Sequence, residues 1–133
     1  MPDEARRDRD GADDEKALAL SDLPPQLSGA VEAVRDRKGR DLMVLDLREL
    51  SSATDFFLIA TGTSDVHVRA VADHVIEELK RAGVRPNHVE GLRGGRWVLI
   101  DYIDFVVHVF HPTAREFYQL EQLWGDVERL ELE

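Results

Sequence analysis

The stretch RWVLIDYIDFVVHVF, Arg96 to Phe110, decides how this chain folds. Its apolar residues lie on either side of Asp101-Tyr102-Ile103-Asp104, which reads as the turn of a β-hairpin. A tight turn there pairs Trp97 with His108, Leu99 with Val106 and Asp101 with Asp104. One side of the hairpin then carries Val98, Ile100, Phe105, Val107 and Val109, and that uniformly apolar side must face the core. The other side collects a tryptophan, a histidine and two carboxylates.

Upstream, Leu42 to Leu45 and Phe56 to Ala60 are dense apolar runs of strand length, as expected of strands covered on both faces. The link from Arg48 to Ala53 is short enough to make them antiparallel neighbours. Gly62-Thr63-Ser64 breaks the second strand, and Ser64 has the chemistry of a helix N-cap with Asp65 in the first turn. Val68, Val71, Ala72, Val75, Ile76 and Leu79 follow at helical spacing until Gly83 stops the helix. Asn87 to Gly91 is a weaker strand, so strand-helix-strand order predicts a right-handed crossover between parallel strands. An earlier short helix carries Leu27, Ala30, Val31 and Val34 and ends at Lys38-Gly39.

Beyond the hairpin, Thr113-Ala-Arg-Glu116 has the form of a capping box. It opens a helix with Phe117, Leu120, Leu123 and Trp124 on one side, closed by Gly125, and Tyr118 lies off that stripe. The predicted order is α-β-β-α-β-β-β-α, an α+β domain with a single mixed five-stranded sheet. Residues 1–25 read as an acidic, disordered tail, 26–126 as the folded domain, and 127–133 as a loose acidic C-terminus.

Composition narrows the function. The 133 residues suit one domain, and 27 acids against 17 basic residues give a net charge of −10. Phosphate neutralisation needs a cationic footprint, so direct nucleic-acid binding is not expected, whereas a basic protein suits this field. The chain has no cysteine, which removes thiol catalysis, disulfides and thiolate metal sites. No apolar run reaches the roughly 18 residues of a membrane helix, and the charged N-terminus is unlike a secretory signal, so the expected location is cytoplasmic.

Three readings compete for the hairpin face. It is a solvated face, a carboxylate pair for a divalent metal, or a protein-binding patch with an aromatic anchor and acids for a basic partner. The third accounts best for a tryptophan beside carboxylates. Its residues are Trp97, Leu99, Asp101, Asp104 and His108, with Tyr118 reaching the partner from the last helix. A nucleotidyltransferase would join the Gly62-Thr63-Ser64 turn to an acid-x-acid motif on the next strand. Asn87-His88-Val89-Glu90 has one carboxylate, and Asp101 and Asp104 are three positions apart, so this metal-dependent nucleotide enzyme is only the alternative. His67 and His74 lie two helical turns apart, and no H-E-x-x-H spacing occurs. Ser51, Ser52 and Ser64 lack a G-x-S-x-G setting. No catalytic residue, metal or cofactor is assigned.

Three strings together resemble one family: Thr54 to Ser64 (TDFFLIATGTS), Gly95 to Phe110, and Arg115 to Asp126 (REFYQLEQLWGD). They are similar, in one collinear order from Leu27 to Asp126, to the bacterial ribosomal silencing factors, also called Iojap-like proteins. The resemblance implies a nucleotidyltransferase-like domain without the catalytic carboxylates. It implies binding to the large ribosomal subunit through large-subunit ribosomal protein fourteen, which blocks joining of the small subunit and represses translation. In some relatives it implies large-subunit biogenesis instead. Trp97 matches the family's interface tryptophan, Asp101 and Asp104 its acidic positions, and Tyr118 the aromatic of its Glu-Phe-Tyr motif. Monomer and homodimer are both compatible with the sequence.

Overall fold

A computed structural model describes residues 18–118 and 128–132, the side chains of residues 116–118 excepted. Around a 3-10 turn at Leu20–Asp22, Leu18 and Leu23 are each 7% exposed and join the core. The tail expected over residues 1–25 therefore gives way to packed chain by Leu18.

Helix α1, Pro25–Asp36, starts on a proline, whose missing N–H costs nothing in a first turn. It buries Leu27, Ala30, Val31, Ala33 and Val34. The left-handed residue after it is Lys38, at φ 61°, one position before the expected glycine. Gly39 serves a different need, since a Cβ there would collide with the Val34 side chain. Strands β1, Arg40–Asp46, and β2, Phe56–Thr61, pair antiparallel as the short link requires. Helix α2, Asp65–Arg81, is capped by Ser64, whose hydroxyl accepts from the His67 amide at 3.1 Å, and Gly83 at φ 85° ends it.

Strands β3, His88–Glu90, β4, Trp97–Asp101, and β5, Phe105–Phe110, follow, then helix α3, Pro112–Tyr118. Helix α3 begins on Pro112, and His111 Nδ1 accepts from the Thr113 amide at 3.2 Å, so the expected capping box at Thr113 is displaced. The expected stripe through Leu120, Leu123 and Trp124 lies outside the described residues. Arg129–Leu132, expected to be loose, forms β6 and pairs antiparallel with β1.

Among the described residues the sheet thus has six strands in the order β3-β4-β5-β2-β1-β6, one more than the sequence suggested, and the α+β class holds. Among the described residues only β2 and β5 are adjacent and parallel; the neighbouring pairs are otherwise antiparallel. β2 and β3 do run the same way, but β5 and β4 lie between them. One sheet face packs under α1 and α2 in a large core that includes Val98, Ile100, Phe105, Val107 and Val109, the five residues assigned to it above. The other face carries a smaller cluster of Met43, Leu45, Leu47, Ile59, Phe110 and Ala114, edged by Phe57 and Trp97.

Candidate partner-binding face

Strand β4 alternates cleanly. Val98 and Ile100 are fully buried, while Trp97, Leu99 and Asp101 are half-buried on the opposite face. Strand β5 does not alternate, because one of its faces packs into the main core and the other lies against the smaller cluster.

The hairpin register differs from the expected one by two residues. Trp97 lies opposite Phe110, Leu99 opposite His108, and Asp101 opposite Val106. The turn has moved one residue on, from Tyr102-Ile103 to Ile103-Asp104, with the Tyr102 amide donating to the Phe105 carbonyl at 2.9 Å. Two effects favour this register. It lets Tyr102 and Phe105 stack at 5.0 Å within the main core, and it avoids two carboxylates directly across the strands. A shift of two preserves the side-chain period, so Trp97, Leu99 and Asp101 keep the face assigned to them and share it with His108. Asp104 leaves that row and sits exposed in the turn.

Trp97 and His108 meet diagonally. The indole Nε1–H donates to His108 Nδ1 at 3.0 Å, and the indole stacks on Phe110 at 5.0 Å. His108 is only 3% exposed, so it supports the surface from beneath and does not itself reach outward. Burial pushes its pKa down to about 4. Its Nδ1 accepts from the indole, so the neutral ring carries its proton on Nε2, which has no hydrogen-bond partner among the described residues. Phe57 meets the same ring edge-on at 4.5 Å. Beside this group a cavity of about 240 Å³ is lined by Leu47, Thr54, Phe57, Leu99, Asp101 and His108, among others. The Tyr118 side chain lies outside the described residues.

Phe57, Leu47 and Thr54 were not singled out in the sequence. The parallel pairing of β2 on β5, with Phe57 opposite Val106 and Ile59 opposite His108, brings in Phe57. No local signal announces that contact, because the two strands are almost fifty residues apart in the chain.

The remaining histidines have local work. His67 Nδ1 accepts from the Thr63 amide at 2.8 Å while its Nε2 donates to the Arg37 carbonyl at 2.7 Å. His74 lies 3.1 Å from the Asp36 carboxylate, and His88 2.6 Å from that of Glu90. Around the Gly62-Thr63-Ser64 turn three amides are already committed: Gly62 donates to the Phe110 carbonyl, Thr63 to His67 and His67 to Ser64. Among the described residues no group of three His, Asp or Glu gathers as a metal site, and no helix is long and apolar enough to cross a membrane.

Comparison with known proteins identifies the family. The sequence profile of the family described as ribosomal silencing factor during starvation matches residues 21–133. The chain belongs to the ribosomal silencing factor family. It is 43% identical to the ribosomal silencing factor of Halalkalibacterium halodurans, over 78% of this chain and 89% of that protein. A crystal structure of a Chromobacterium violaceum protein superposes with a TM-score of 0.74 at 40% identity, over 81% of this chain and 88% of the other. A mouse relative, named for mitochondrial assembly of the ribosomal large subunit, is 31% identical over 71% of this chain and 42% of its own length. The family span, residues 21–133, includes β6, which lies beyond the three motif strings.

Proposed function

We propose that this chain represses translation in the cytoplasm by binding the large ribosomal subunit, on its ribosomal protein fourteen, so that the small subunit cannot join. The observation that carries the reading is the half-exposed row Trp97, Leu99 and Asp101 on one sheet face of a ribosomal silencing factor. A flat aromatic backed by a buried histidine is a rigid anchor, and anchors of this kind dominate binding energy. Asp101 and Asp104 add acidic contacts, and the net charge of −10 suits a basic partner. Tyr118 supplies a further aromatic contact, while His108 holds the indole in place. The mouse relative's name supports a second role, in large-subunit biogenesis, on the same partner.

Co-sedimentation with separated large subunits, followed by addition of small subunits, tests the proposal. Asp104→Lys is the informative variant, because that side chain is exposed and only the backbone of Asp104 serves the turn. Wild-type protein should pellet with large subunits and prevent joining, and the variant should do both less well. Wild-type protein that stays in the supernatant would refute the reading.

A further inference from the structure

Ile103, at the tip of the β4–β5 hairpin, combines two costs. The residue is 58% exposed, and its backbone sits at φ 75°, a region that β-branched residues avoid. The Asp104 amide donates to the Tyr102 carbonyl at 2.9 Å and closes a three-residue γ-turn on Ile103 in the rarer, strained form. The surroundings enforce it. Asp101 Oδ1 accepts from the Ile103 amide at 2.7 Å, the Tyr102 and Phe105 rings stack beneath, and the Asp55 amide donates to the Asp104 carbonyl at 2.9 Å. Glycine or asparagine would take this backbone more easily. What isoleucine adds is an apolar side chain held out in water, with no burial in either cluster to offset it.

We propose that Ile103 is a docking anchor continuous with the Trp97–Asp101 row, presented by its γ-turn to an apolar recess on a basic protein surface. The inference rests on the ribosomal reading and extends its contact face to the hairpin tip. The chemistry of the partner follows from the neighbours. Asp101 and Asp104 flank Ile103, and neither forms an ion pair with another described residue, so a recess bordered by lysine or arginine complements the tip. An apolar anchor surrounded by polar groups is the arrangement found at the centres of protein interfaces.

The test compares wild type, Ile103→Gly and Ile103→Asn for thermal stability and for affinity to purified large ribosomal subunits at low and high salt. Both variants should melt at or above the wild-type temperature, since each relieves the turn, yet bind roughly tenfold or more weakly. That loss should persist at high salt, because an apolar contact is not screened, whereas an Asp104→Lys loss should shrink. Using two variants guards against one that perturbs the hairpin. Wild type that binds, with both variants binding equally well, would overturn the inference alone. Wild type that fails to bind would remove the ribosomal reading and the inference with it.

Discussion

Trp97→Ala should cost stability as well as binding, contrary to what the hairpin pattern alone implies. A side chain opposite the main core looks removable, but this indole closes the second cluster. Its stack on Phe110 at 5.0 Å is worth about 0.5–1.5 kcal/mol beyond the area buried. Removing Nε1–H leaves His108 Nδ1 without its donor in a buried site, at about 1–3 kcal/mol. Truncating a half-buried indole adds about 1–2 kcal/mol, less than the 3–5 kcal/mol of a fully buried one. These terms overlap because all three act through one ring, so the expected total is about 3 kcal/mol. Trp97→Phe keeps the stack and loses the hydrogen bond, and should cost about 1–2 kcal/mol. Urea unfolding followed by far-ultraviolet circular dichroism measures both without depending on the deleted fluorophore. A Trp97→Ala protein within about 0.5 kcal/mol of wild type would refute the argument that Trp97 closes a second core. The practical consequence is that binding by Trp97→Ala must be measured where that variant is demonstrably folded.

His108 makes stability depend on pH in a defined direction. Its folded pKa of about 4 lies below the unfolded value of about 6.5, so between these limits the unfolded chain takes a proton that the folded one refuses. Stability should therefore fall as pH drops from 6.5 towards 4, by at most about 1.4 kcal/mol per pH unit, and His108→Gln should lack that component of the slope in urea titrations from pH 7.5 to 4.5. Gly91→Ala should lower the melting temperature, with a cost above about 2 kcal/mol, because Gly91 sits at φ 80° and an added Cβ would collide with the Trp97 carbonyl oxygen. A wild-type melt would show that this approach relaxes freely. Asp104→Lys should weaken binding to large subunits roughly tenfold at low salt and less than about threefold at 1 M, where the screening length is about 3 Å. Equal affinity at every salt concentration would remove Asp104 from the contact surface.

Much of the secondary structure was legible because its causes are local. Ser64 and Gly83 bound α2 by capping chemistry, and the apolar spacing from Val68 to Leu79 identifies its buried face. The turn between Asp101 and Asp104 is encoded locally, but its register is not. That choice depends on Tyr102 and Phe105 stacking inside a core formed by other segments, and on keeping two carboxylates from facing each other. Strand β6 has no local signature for a similar reason. Arg129–Leu132 alternates charged and apolar residues over only four positions, and it becomes a strand only because β1 offers it an open edge.

The functional face divides along the same line. The period of two along β4 was enough to place Trp97, Leu99 and Asp101 together, and a register error of two residues left that grouping intact. What lies beneath the row depends on tertiary structure. Parallel pairing of β2 with β5, and antiparallel pairing of β1 with β2, gathers Phe57, Ile59, Leu45 and Met43 around His108 and Phe110. Those contacts join segments far apart in the chain, and no local pattern encodes them. The alternation along β4 is enough to put Trp97, Leu99 and Asp101 on one face. Only the assembled sheet decided that Trp97 is at once half-exposed and structural, because burial depends on which strands lie alongside.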